Sequence, residues 1–136
     1  METAKTTYLG NLRTEVEHMA SGTKIMTDAP VDNHGKGEHF SPTDLLAVAY
    51  SSCVLTIIGI AAKTHGFNID GAEAKTTKVM GTDPRRVVEL LVDYTFPHNN
   101  YNEKERTIIE QSVKQCPVAN SLDPALKITK TITYKD

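Results

Sequence analysis

The chain has 136 residues, of which 39% are hydrophobic and 24% charged, with no tryptophan; this suits one domain, residues 1–136, with a core of its own. A net charge of −2, with no basic cluster beyond Arg85-Arg86, argues against nucleic acid as a partner. The N-terminus METAKTTYLGN lacks the apolar run of a signal peptide, so we expect a cytoplasmic protein whose two cysteines are catalytic, sensing or merely buried rather than bridged.

Residues 4–10 and 12–19 read as strands meeting at a tight turn at Gly10-Asn11, and 23–27 as a third strand after Ser21-Gly22. In the second strand Leu12, Thr14, Val16 and His18 alternate with Arg13, Glu15, Glu17 and Met19, so one face is mainly charged and the other mixed. Residues 28–40 hold Pro30, Gly35 and Gly37 without periodicity and read as a loop, long for a compact domain. The spacing of His34 and His39 matches no metal motif, and we expect no metal site.

The stretch Ser41–Gly66 organises the rest. Leu45 to Ala62 carries no charge. Ser41 suits an N-cap, Pro42 the first helical position and Asp44 the place of a capping box, while Lys63, His65 and Gly66 supply a stop. The resulting helix of about 24 residues spans about 36 Å. Its apolar residues occur on every side, which predicts burial all round. The uncharged run is borderline for a membrane span of about 20 residues, and Tyr50, Ser51, Ser52, Thr56 and Gly59 dilute it. We expect a core helix and no membrane partner.

Residues 67–80 and 87–96 read as a hairpin turning around Gly81–Pro84, with Val88, Leu90, Val92 and Tyr94 on one face and Arg85 and Arg86 solvated at the turn. Asn102 caps a helix with Glu105 in the capping-box position. Ile108, Ile109, Ser112, Val113 and Cys116 share its inner face, and Pro117 ends it or starts a short second helix with Cys116 near the N-cap. Residues 126–134 close the chain as a strand. Three strands, a long helix, two strands, two helices and one strand make an α+β fold.

The chain's two cysteines, Cys53 in the long helix and Cys116 in CPVANSL, are candidates for a redox pair. A reactive cysteine must lower its pKa from about 8.5. Cys53 stands about three turns into its helix, beyond the reach of the dipole, and burial raises a thiol pKa. Its activation therefore needs a cation from another segment or another subunit. Asp44 lies about 13 Å back along the helix axis, too far to touch Cys53 but able to orient an arginine. Cys116, at a Cys-Pro junction, can receive backbone N–H groups and on that ground competes to be the more acidic thiol. The residues alone leave open which thiol attacks. They equally leave open two unrelated buried cysteines.

The segment SPTDLLAVAYSSC resembles the Pro-x-acidic-Leu stretch that leads to a helical cysteine in the OsmC/Ohr family of osmotically inducible and organic-hydroperoxide-resistance proteins, and CPVANSL before a closing strand is similar to that family's second-cysteine motif. The resemblance implies an intertwined homodimer with long central helices buried against the sheets and active sites at the subunit interface. It implies a peroxidase in oxidative or osmotic stress defence, with no cofactor. Cys53 would attack an organic hydroperoxide and become a sulfenic acid, Cys116 would resolve it to a disulfide, and a dithiol reductant of lipoyl or other type would restore both. An Arg–carboxylate pair activates the thiol in that family. Here the residue ten before Cys53 is Thr43 and the carboxylate is one later, Asp44, a shift of about 100° around the helix, which points to a less-characterised OsmC-like branch. Arg13 is the arginine that precedes the helix and is the candidate cation. Two other functions fit the same residues: a dimer that binds a small hydrophobic ligand, and a thiol redox sensor.

Overall fold

The computed structural model describes all 136 residues. Its elements are β1 (Ala4–Gly10), β2 (Arg13–His18), β3 (Lys24–Asp28), α1 (Pro42–Thr64), β4 (Glu73–Gly81), β5 (Arg86–Phe96), α2 (Glu103–Ser112), α3 (Pro117–Asn120) and β6 (Lys127–Tyr134), with a 3-10 turn at Val31–Asn33. This is the α+β order read from the sequence. The chain forms two units, Met1–Leu46 and Ala47–Asp136, whose boundary falls inside the first turns of α1.

In the first unit β1, β2 and β3 form an antiparallel meander. The tight turn lies one residue later than expected, at Asn11-Leu12, because both residues adopt positive φ (55° and 63°), as the two-residue turn that follows strand twist requires. Cross-strand register lines up Thr6, Val16 and Ile25, and beside them Tyr8, Thr14 and Thr27, on one uncharged face. The opposite face carries the rows Lys5, Glu17, Lys24 and Thr7, Glu15, Met26. No hydrophobic side chain of this unit is buried; Tyr8 and Ile25, on the uncharged face, are 64% and 47% exposed.

The loop after β3 is closed at its base, where Asp28 N–H donates to Phe40 O at 3.1 Å. Ala29 N–H donates to Leu12 O, and the amides of Gly35 and Gly37 donate to Pro30 O and Ala29 O. Gly35 is required there, since a Cβ would lie 1.8 Å from Ala29 O.

In the second unit α1 buries the stripe Ala47, Tyr50, Ser51, Val54, Ile58 and Ala62, spaced three or four apart. This stripe joins Leu90, Val92, Tyr94 and Phe96, the inward face of β5, and Ile109 beyond them, in one core. β5 is the central strand, antiparallel to β4 and parallel to β6. β4 begins at Glu73 rather than Phe67. The residues between belong to a turn in which Asp70 N–H donates to Asn68 Oδ1 at 3.1 Å and Gly71 takes a φ of 92°. Arg86, expected in solvent, stays exposed but donates to Thr82 O at 3.0 Å and Pro84 O at 2.8 Å, clasping the hairpin turn.

The expectation that α1 is buried all round needs correction. Ala49, Ser52, Thr56 and Ile60 lie along its open side, and Ile60 is 58% exposed. The β4–β6 sheet covers one side of the helix, and the uncharged opposite side stays exposed. On that side the Thr56 hydroxyl turns back onto Ser52 O at 2.9 Å. By length and composition α1 could cross a membrane; its periodic buried stripe is that of a helix lying on a sheet.

The capping box of α2 forms as read. Glu105 N–H donates to Asn102 Oδ1 at 2.8 Å, and Asn102 N–H to Glu105 Oε1 at 2.9 Å.

Candidate thiol site

Cys53 lies half-buried on α1, packed against the core of the second unit. Cys116 is 1% exposed at the N-cap of α3, with Pro117 in the first turn as the sequence suggested. Its Sγ faces Tyr50 O at 4.0 Å, one helical turn before Cys53. Both thiols are free. Burial pushes the Cys116 thiol above its ordinary value; the amides of Ala119 and Val118 pull it down without winning, and neighbouring Cys53 adds to the rise. Burial of Cys116 thus outweighs the amides that its Cys-Pro junction offers. One short turn of amides does not offset the loss of water around the sulfur. The site thus pairs a reachable thiol with a buried one that stays protonated at neutral pH.

Two tyrosines escaped the sequence reading. Tyr50 and Tyr94 are 1% and 0% exposed. Burial, above all, raises the pKa of each, and charge on either cysteine would raise both further. The two phenols approach one another, but their contact does not meet hydrogen-bond geometry, and Tyr94 Oη is left without a partner. Tyr50 was detectable as a residue three before Cys53, hence on the same side of the helix. Tyr94 was visible only as one more member of the inward face of β5.

Arg13 and Asp44 belong to the first unit. Arg13 makes a fork-like pair with Asp28, Nε to Oδ1 at 2.6 Å and a terminal nitrogen to Oδ2 at 3.0 Å, and reaches Glu38 Oε1 at 2.9 Å. Asp28 is 2% exposed and also accepts Glu38 N–H at 3.1 Å. The hydrogen bonds from Arg13 lower its pKa to about 2, and the guanidinium is held charged in return. Asp44 accepts Ser41 N–H at 2.9 Å while Ser41 Oγ accepts Asp44 N–H at 3.1 Å, the reciprocal cap of a helix start. The structure thus gives Arg13 the carboxylates of Asp28 and Glu38 and gives Asp44 to the cap. Asp28 was missed although it stands directly across the ladder from Arg13, because register is not visible before strands are paired.

Comparison with known proteins supplies the family. Residues 35–131 match the model described as OsmC-like protein. No curated protein sequence matches the chain. A crystal structure from Psychrobacter arcticus, of a candidate osmotic stress induced and detoxification response protein, is 48% identical with a TM-score of 0.89, covering 98% of this chain and 96% of that one. An organic hydroperoxide resistance protein OsmC from Legionella pneumophila (15% identity, TM-score 0.71, 100% and 98% coverage) shares the fold. So does an organic hydroperoxide resistance protein from Elizabethkingia anophelis (16% identity, TM-score 0.74, 98% and 97% coverage). With its element order, both cysteine segments and most of its length accounted for by this match, the chain belongs to the OsmC-like protein family.

Proposed function

We propose that the protein is a cytoplasmic, thiol-dependent peroxidase that reduces organic hydroperoxides in stress defence. The observation that carries this reading is the asymmetric pair, a half-buried Cys53 beside a buried, protonated Cys116. The stress-response and hydroperoxide-resistance names of the relatives point the same way.

The Cys53 thiolate attacks one oxygen of ROOH; the O–O bond breaks, an S–O bond forms, and RO⁻ leaves to take a proton as ROH. Cys53 is now a sulfenic acid. The Cys116 thiol displaces it, forming the S–S bond and releasing water. A small dithiol reductant then returns both thiols by exchange and leaves as its own disulfide. Burial protects Cys116 from direct oxidation, which suits the resolving role.

In this reading residues 1–136 act as one domain that two copies complete. The uncharged face of the β1–β3 meander and the uncharged open stripe of α1, with Tyr8, Ile25 and Ile60 exposed on them, are surfaces for which a second copy supplies cover. Arg13 is the cation offered to the thiol, steadied by Asp28 and Glu38, and Asp44 fixes the start of the helix that carries Cys53.

The test is peroxide consumption by the purified reduced protein. Cumene hydroperoxide should be consumed faster than hydrogen peroxide. Cys53→Ser should abolish turnover, and Cys116→Ser should give one turnover and a sulfenic acid trapped by dimedone. Equal rates in wild type and Cys53→Ser would sink the proposal.

A further inference from the structure

A buried hydroxyl without a partner is uncommon, because it gives up its bonds to water and receives nothing in exchange. Tyr101 shows the usual solution in this protein, its phenol donating to Asn68 O at 3.1 Å. Tyr94 does not follow it. Its residue is fully buried, its cross-strand neighbours are Ala74 and Ile132, which offer no polar side chain, and its Oη has no partner. Tyr94 shares its core with Tyr50, whose carbonyl oxygen lies 4.0 Å from Cys116 Sγ, and with Cys116 itself, while Cys53 packs against the same cluster. The Tyr50 phenol approaches it without hydrogen-bond geometry, so the Tyr94 O–H, in a core that also holds Cys116 and packs against Cys53, has a donor to give and no bonded acceptor.

We propose that Tyr94 is the hydrogen-bond donor for the oxygen that Cys53 acquires, binding the peroxide oxygen in the attack and the sulfenate oxygen afterwards. This rests on the peroxidase reading and adds a residue to it. No proton is transferred by Tyr94. The thiolate gains the oxygen, the RO⁻ leaving group takes its proton from solvent, and the phenol O–H stays intact throughout. Burial holds the Tyr94 phenol far on the protonated side at any working pH, so the donor is present in every state of the cycle. The unpaired hydroxyl of the reduced protein is then a site held ready for an oxygen atom.

Tyr94→Phe removes only that oxygen. Tyr134→Phe is the control, because Tyr134 Oη is also buried and unpartnered but lies beneath Arg106, whose guanidinium is 4.2 Å from the Tyr134 ring. Both variants are made in the Cys116→Ser background, and dimedone-trapped Cys53 is followed by mass spectrometry after mixing with cumene hydroperoxide. Loss of one donor to a charged oxygen should slow Cys53 oxidation about tenfold in Tyr94→Phe, without lowering the thermal midpoint, while Tyr134→Phe stays within about twofold of its parent, well below that donor effect. Equal rates in the two variants would overturn the role of Tyr94. A second measurement needs no deletion: 3-fluorotyrosine at position 94 should change its 19F chemical shift when Cys53 is oxidised, and an unmoved resonance would also overturn it. If the Cys116→Ser protein with Tyr94 intact forms no dimedone adduct at all, the peroxidase reading itself fails and the inference with it.

Discussion

The open side of α1 offers the sharpest test of the assembly. Ile60 is 58% exposed in the single chain, so roughly half of its side chain remains to be covered. Burying a whole isoleucine side chain is worth about 1.5–3 kcal/mol, which makes the uncovered part worth about 1 kcal/mol. A two-fold dimer counts each residue twice, so Ile60→Ser should remove about 2 kcal/mol from association. At about 1.4 kcal/mol per decade this raises the dimer dissociation constant about 30-fold. Sedimentation velocity over a dilution series measures that constant directly. Lys104→Ser, an exposed change on α2, serves as the control and should leave the constant unmoved. The thermal midpoint of the wild type should also rise with protein concentration, since an associating protein is stabilised by mass action. A wild type that sediments as a monomer throughout the series, or an Ile60→Ser protein that dissociates at the wild-type concentration, would refute the reasoning.

Three further outcomes follow from the same structure. Ile58 is fully buried under the β5 face, and Ile58→Ala should cost about 2–5 kcal/mol in urea unfolding, whereas Ile60→Ser measured at concentrations where both proteins are monomeric should cost far less. Asp28 has its pKa lowered from 3.8 to about 2 by Arg13; a lowered carboxylate stabilises the fold fully above its ordinary pKa and loses that contribution as pH falls toward 2. Far-UV circular dichroism melts should show that acid-sensitive component in wild type and its loss in Asp28→Asn. Iodoacetamide at neutral pH should alkylate Cys53 before Cys116, by at least about tenfold, because Cys116 is buried and its thiol is held protonated; equal labelling in the folded protein would remove the basis for assigning the two roles.

Local chemistry made the elements readable. Asn102 with Glu105, Ser41 with Asp44 and Pro117 after Cys116 are short-range signals, and each forms as read because both partners lie within a few residues. The alternation of β5 was equally plain, since Leu90, Val92 and Tyr94 face one core. Signals that depend on context were less plain. At Phe67–Ala72 the alternation is imperfect, and Gly71 with the Asn68–Asp70 turn breaks the strand. On α1 apolar residues occur all round the helix, but the β4–β6 sheet lies against one side and buries one stripe.

The functional residues were legible in proportion to how local their signals are. Cys53 and Cys116 stand out in any reading of this chain, and the structure places them in one core. The carboxylates around Arg13 depend on register and on the closure of a loop, and neither is written in a stretch of adjacent residues. Asp44 sits near the acidic position of a family motif, and it forms the reciprocal cap with Ser41. Asp28 had no motif to recommend it. It nevertheless receives two hydrogen bonds from Arg13 and one from the backbone of Glu38 while almost wholly removed from water. A carboxylate so placed orients a guanidinium far more firmly than an exposed partner does, because two parallel bonds fix the plane of the fork. The carboxylate that fixes the Arg13 guanidinium is therefore on β3 and not on the helix.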